Sequence, residues 1–188
     1  SSEWIVGHQA LATNAFENNK FLKLGVSNSV FTNSLVWGAE PTTTVTQIVT
    51  NGAGGATNLT SSGTYVMYSW AEIPGFSKFG SYTGNGSSDG TFVFTGFKPA
   101  VVIFKSTSAS ENWQIKDNKR LGYNDQNHTL FPNTAASEYT TAQMDFLSNG
   151  FKLRNGGGGS NGSGETLVYM AFAEQPGTTP FDTFPSAR

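Results

Sequence analysis

The stretch Thr64 to Gly75, TYVMYSWAEIPG, returns at Thr166 to Gly177 as TLVYMAFAEQPG, and this repetition constrains the fold more than any other feature of the chain. Laid over each other without a gap, the copies agree at Thr64/Thr166, Val66/Val168, Ala71/Ala173, Glu72/Glu174, Pro74/Pro176 and Gly75/Gly177. Trp70 faces Phe172, and Met and Tyr exchange places across Met67/Tyr169 and Tyr68/Met170. Consecutive residues are apolar in both copies, as they are in Ala100 to Phe104, AVVIF, so these strands should be covered on both faces. By contrast Thr44 to Val49 is half polar and belongs nearer an edge or a wet face.

The repeat reaches upstream. Trp4-Ile5-Val6 precedes the first copy as Trp113-Gln114-Ile115 precedes the second, which defines two half-units, about 3–75 and 111–177, joined by 76–110 within one domain of 3–177. The segment Gly80 to Lys105 has no partner copy. If a unit consists of that segment plus the half-unit after it, the chain starts inside a unit and is expected to be a piece of a longer protein. The absence of an initiator Met fits that expectation, or processing.

Helical periodicity is weak, with Gln9 to Asn19 the best candidate, whereas short runs of Val, Ile, Thr, Phe and Tyr are punctuated by Asn-Gly at 51, 85, 149, 155 and 161. Asn-Gly suits tight hairpin turns whose central residues take positive φ. Strands are expected near Trp4–His8, Phe21–Leu24, Val36–Trp37, Thr44–Val49, Tyr65–Glu72, Lys78–Thr83, Thr91–Thr95, Ala100–Lys105, Trp113–Asp117, Met144–Leu147, Phe151–Arg154 and Leu167–Glu174. Only 13% of residues are charged and Gly numbers 22, a composition for turns and packed rings rather than solvated helices. The expected fold is all-β: an antiparallel, jelly-roll-like β-sandwich built from the two half-units. Asn51–Ser62 and Asn155–Gly164 read as loops, Gly156–Gly162 within the second as a flexible hairpin loop, and 178–188 as a tail or docking arm carrying Phe181 and Phe184.

A net charge of -2 with scattered basic residues gives no reason to expect nucleic acid, and no apolar run suggests membrane insertion. Without Cys there is no disulfide framework and no thiolate chemistry. Neither His8 nor His128 has a nucleophile at a recognisable spacing, so no catalytic residue is expected. Glu72 and Glu174 could be a glycosidase pair. Their duplication argues instead for strand-end carboxylates that accept from a loop amide or pair with Lys or Arg. The run Gly156 to Gly159 lacks the Gly-Lys-Ser/Thr ending of a phosphate loop, so no cofactor is expected. Asp117, Asn118, Asn124 and Asp125 offer oxygens suited to calcium at a spacing that matches no calcium loop, and no metal is assigned. Asn58, Asn85, Asn127 and Asn161 open glycosylation sequons. Among the rings, Trp70 should be core, whereas Trp37, beside a Pro turn, and Tyr123, in a polar loop, are the candidate glycan-stacking residues.

The phrases YVMYSWAEIPGFSKFGSYTGNGSSDGTFVFTGFKPA, WQIKDNKR, DFLSNGFKL and VYMAFAEQP, above all SYTGNG, TGFKPA and AFAE, are specific. They resemble an uncharacterised repeat domain of virion structural proteins from marine tailed phages of the cyanophage type. That resemblance implies a non-enzymatic tail-fibre, appendage or capsid-surface protein, located in the virion and assembling with other virion proteins and with copies of itself through β-rich interfaces. The alternative is a lectin-like module that binds a host glycan.

Overall fold

The computed structural model describes residues 4–11, 20–33, 36–37, 46, 64–120, 124, 128–141 and 144–174. These form ten strands: β1 (Ile5–Val6), β2 (Lys20–Lys23), β3 (Phe31–Thr32), β4 (Ser77–Thr83), β5 (Phe92–Phe94), β6 (Pro99–Ser106), β7 (Gln114–Asp117), β8 (Met144–Leu147), β9 (Gly150–Leu153) and β10 (Thr166–Ala173). All pairings between them are antiparallel, in three sheets ordered β1-β2-β3, β4-β10-β6-β7 and β5-β9-β8. The fold is all-β and sandwich-like.

The four-stranded sheet lies between two apolar clusters, which explains why its strands lack alternation. Leu167, Tyr169 and Ala171 of β10 and Val102 and Phe104 of β6 pack with Tyr82, Val93, Met144, Phe146, Phe151 and Leu153. Val168 and Met170 of β10 and Ile103 of β6 face the other way, against Trp113, Val6, Leu11, Leu22, Leu24 and Val30. A strand with both faces dry must be apolar at consecutive positions. A fully buried Phe such as Phe104 contributes about 1.5–3 kcal/mol through its area alone. In the outer β8–β9 hairpin the expected alternation returns: Met144, Phe146, Phe151 and Leu153 turn inward, while Asp145 and Lys152 face each other across the pair outside.

Four expectations need correction. The Gln9–Asn19 helix is a single 3-10 turn at Gln9–Leu11, with the remainder outside the described residues. The β8–β9 turn is centred on Ser148-Asn149, and Gly150 is already a strand residue opposite Leu147. A Cβ on Gly150 would come within 2.1 Å of the Val93 carbonyl oxygen, so this glycine permits β5 to approach β9 and is not there for a turn. The loop 155–164 is ordered rather than flexible, with Gly159, Ser160 and Asn161 buried. Finally, Tyr65–Glu72, the first copy of the duplicated strand, joins no sheet among the described residues and is exposed along its length. The expected strand Thr44–Val49, apart from Thr46, and the segments 51–62 and 178–188 lie outside the described residues.

Loop 155–164 is held by Asn161, which has no exposed surface. Its Nδ2 donates to Asn85 Oδ1 (2.8 Å), Ser87 O (2.9 Å) and Asn155 O (2.7 Å), and its Oδ1 accepts from Asn85 N (3.1 Å). The Glu165 carboxylate accepts from Gly159 N at 3.0 Å and Gly162 N at 3.2 Å, closing the same turn. A poly-glycine run loses much entropy on ordering, and these side-chain bonds offset that loss.

Candidate functional site

The surface with the most distinctive chemistry starts at a tight turn. Gly75 takes φ 76°, a conformation closed to most residues, and the chain reverses between Ile73 and Ser77. Ser77 N donates to Ile73 O (2.9 Å), and Ser77 Oγ donates to Ala71 O (2.8 Å). Glu72 then fastens the segment to the outer edge of β4: it accepts from Phe79 N and Lys78 Nζ at 3.0 Å and from Gln9 Nε2 at 3.1 Å. Partial burial pushes the Glu72 carboxyl up, but these donors outweigh it and hold it below the usual carboxylate range.

Upstream of that anchor the chain runs extended with its side chains in solvent. Val66 is 63% exposed, Met67 60%, Tyr68 64% and Trp70 60%, and Trp4 beside them is 53% exposed. No described residue pairs with Val66–Trp70 as a strand partner. The rings are arranged, not scattered: Trp4 stacks on Tyr68 with centroids 6.0 Å apart, and Tyr68 on Trp70 at 6.2 Å, with interplanar angles of 28° and 26°. Tyr68 and Trp70 fall on one face because they are two apart in an extended chain. The segment Thr64–Ala71 carries no charge.

Trp70 is therefore exposed, contrary to the core position expected of it. The same kind of sequence, in β10, is buried because β4 and β6 flank it in the sheet and an apolar cluster covers each of its faces. Trp113 and Met170 lie in one apolar cluster, whereas Trp4 stacks on Tyr68 at the surface.

The candidates drawn from sequence fall elsewhere. Trp37 is 9% exposed, packs with Phe21 and Val36, and donates its indole N–H to Lys20 O at 3.1 Å. Buried in that cluster, its ring has no open face for a sugar, which corrects the expectation. Tyr123, Phe181 and Phe184 lie outside the described residues. His8 is buried, its Nε2 is 2.9 Å from Tyr169 O, and burial holds its imidazole below the ordinary range. His128 Nδ1 sits 2.6 Å from Glu138 Oε2, in a surface chain that continues through Arg120 to Asp117. Glu174 pairs with Lys119, so each of the duplicated carboxylates meets a lysine. Of the calcium-type oxygens, Asp117 is taken by Arg120, Asn118 donates to Glu174, and Asn124 Oδ1 accepts from Phe146 N at 2.8 Å. Asp125 is outside the described residues. Asn161 is enclosed, so the fourth sequon is inaccessible in the folded chain.

Two buried lysines were invisible in the sequence. Lys116 Nζ donates to Thr129 Oγ1 at 2.7 Å, and Lys105 Nζ donates to Ser106 O at 2.6 Å. Burial pushes the Lys105 amine down to about 8, against the opposing pull of Glu111 and Glu165. The unfolded chain therefore binds more protons than the folded one between pH 8 and 10.5, so stability rises with pH across that window. Tyr82 and Tyr169, both raised by burial, act in the opposite direction from pH 10 upward. Lys105→Met should flatten the rise below pH 10 and stabilise the fold at neutral pH by on the order of 2 kcal/mol. Thermal unfolding of both proteins across that range checks it, and an unchanged slope would count against an uncharged-preferring site.

A family model described as a domain of unknown function (DUF7483) matches residues 1–176. No curated protein and no solved structure matches the chain.

Proposed function

The chain belongs to this family of unknown function, and we propose that it is a non-enzymatic structural protein of a tailed-phage virion, a tail-fibre, appendage or capsid-surface component that assembles through β-rich interfaces. The observation that carries this reading is the exposed apolar segment Val66–Trp70 with Trp4. Contiguous apolar surface beyond a few hundred Å² marks an interaction site on a soluble protein.

The phrases that resemble phage virion domains fit a structural role, because each has a task in the fold. SYTGNG supplies the Asn85 that binds Asn161. In TGFKPA, Thr95 Oγ1 donates to Phe97 O at 2.6 Å and Phe97 enters the core. AFAE closes β10. A jelly-roll-like connectivity and descent from two related half-units belong to the same proposal. Mass spectrometry of purified particles tests it: a few copies indicate tail or fibre, hundreds indicate the capsid surface, and absence from the particle overturns the reading.

A second reading is glycan binding for host attachment, favoured by the stacked rings Trp4, Tyr68 and Trp70. Their spacing counts against it in part. Centroids 6.0 and 6.2 Å apart leave less than the two contact distances of about 3.5–4.0 Å each that a sugar between them requires. Only the outer faces of the ladder remain for stacking. On a glycan array the protein is expected to give no signal, whereas binding abolished by Trp70→Ala would establish the second reading.

A further inference from the structure

We infer that His8, between β1 and the 3-10 turn Gln9–Leu11, is an acid-sensitive latch: neutral, it docks that turn on β10, and on taking up a proton it lets the turn go. The latch is a property of the fold and does not depend on the virion proposal above.

Both ring nitrogens have a partner, and the partners fix where the hydrogen sits. Ala10 N–H is a donor, so Nδ1, 3.1 Å away, must accept. Tyr169 O is an acceptor, so Nε2, 2.9 Å away, must donate. Only the neutral imidazole with its hydrogen on Nε2 meets both conditions. The imidazolium is a donor at both nitrogens, and its added hydrogen would point at the Ala10 N–H. The ring is buried, so protonation would strip Ala10 N of its acceptor and enclose a cation beside it.

The surroundings give that cation little in return. The charged side chain acting on the ring is Glu72, whose carboxylate attracts a positive charge. Glu72 is already matched by Lys78 Nζ at 3.0 Å and shared with Phe79 N and Gln9 Nε2. From β4 the Phe79 ring meets the imidazole edge to face, with centroids 6.3 Å apart, and from β10 the contact is the Tyr169 carbonyl. Burial outweighs both the Tyr169 carbonyl and Glu72 and holds the imidazole below its ordinary 6.5. As pH falls below 6.5 the undocked segment takes up a proton that the docked one refuses, so docking is at full strength above that pH and weakens below it.

Two contacts move with the latch. His8 O accepts from Leu11 N at 3.0 Å, and Leu11 is buried with Leu22, Trp113 and Val168. Gln9 Nε2 donates to Phe79 O at 2.8 Å and to Glu72 Oε1 at 3.1 Å, so the turn also steadies the anchor of the exposed aromatic segment. When His8 lets go, Gln9 is free to leave Glu72, and the hold of β4 on Val66–Trp70 loosens at the same pH. β10 keeps its place, because β4 and β6 flank it whatever the turn does. The proton thus acts as a ligand that binds the open form better than the closed one.

Nitrogen–proton correlation spectra of the full chain read the ring directly. They should show the hydrogen on Nε2 at neutral pH and a titration midpoint below 6.5. His8→Gln keeps an N–H for Tyr169 O and removes the titration. From about pH 7 to about pH 5, amide protection at Ala10, Leu11 and Phe79, corrected for intrinsic exchange, should fall at least about threefold in the parent and stay level in His8→Gln. Protection in β10 should hold in both. A hydrogen on Nδ1, or a midpoint at or above 6.5, overturns the inference. So does an equal loss of protection in the two proteins, because His128 and the carboxylates titrate in both.

Discussion

Asn161→Asp should lower the unfolding free energy by about 3–5 kcal/mol, the cost of an uncompensated buried charge or its neutralisation. In the parent, two amide protons serve three acceptors, Asn85 Oδ1, Ser87 O and Asn155 O. A carboxylate in that position faces three oxygens with nothing to donate. A carboxylic acid can satisfy one of them. Asn161→Ala avoids the repulsion but removes the donor to Ser87 O and Asn155 O and the acceptor of Asn85 N, while Asn85 Oδ1 keeps Ser87 N, and is expected to cost about 3 kcal/mol. Urea unfolding followed by circular dichroism measures both. If either changes stability by less than about 1 kcal/mol, the interlock between loops 84–90 and 155–164 is not what orders the glycine run.

Trp113→Ala is expected to cost a further large amount, about 3–5 kcal/mol for a buried tryptophan truncated to alanine. Trp113 is 2% exposed, packs with Leu11, Leu22 and Val168, and donates its indole N–H to Lys23 O at 3.0 Å. It ties the β1-β2-β3 sheet to the central sheet, so amide exchange should rise across Lys20–Lys23 before it rises in β8 and β9. The counterpart change, Trp4→Ala, should alter the stability of the single chain by no more than about 0.5 kcal/mol, because its ring lies on the surface. Comparable losses from the two substitutions would mean that Trp4 is packed into the monomer after all.

The central strands are legible in the sequence because burial on both faces leaves a mark in composition. AVVIF and TLVYMAFA have no polar alternation, and β6 and β10 are indeed dry on both sides. The β8–β9 hairpin is legible for the opposite reason, with one wet face. Tyr65–Glu72 departs from expectation because composition reports what a strand needs and not whether the neighbours are present. β10 has β4 and β6 beside it, whereas Tyr65–Glu72 has no strand beside it among the described residues. Trp37 reads as a surface ring from its Gly and Pro neighbours, yet its burial depends on Lys20 O, a partner distant in sequence. Lys105 and Lys116 are hidden in the same way, since a cation inside a sheet is placed by strand order, which local pattern does not encode. Asn161 sits in a stretch whose composition reads as a flexible linker, and only the fold shows it reaching Asn85.

The order β4-β10-β6-β7 also sets a condition on how the chain is made. β4 and β6 never touch as neighbours; each waits for β10, which leaves the ribosome after every other strand of that sheet. During that interval β4 has the earlier copy of the same strand directly beside it in the chain, joined through Pro74 and Gly75. Local pairing is quick and distant pairing is slow. The native topology therefore depends on β4 keeping its inner edge for the later arrival, so the duplication that marks the architecture is also a competition between a near strand and a far one during biosynthesis.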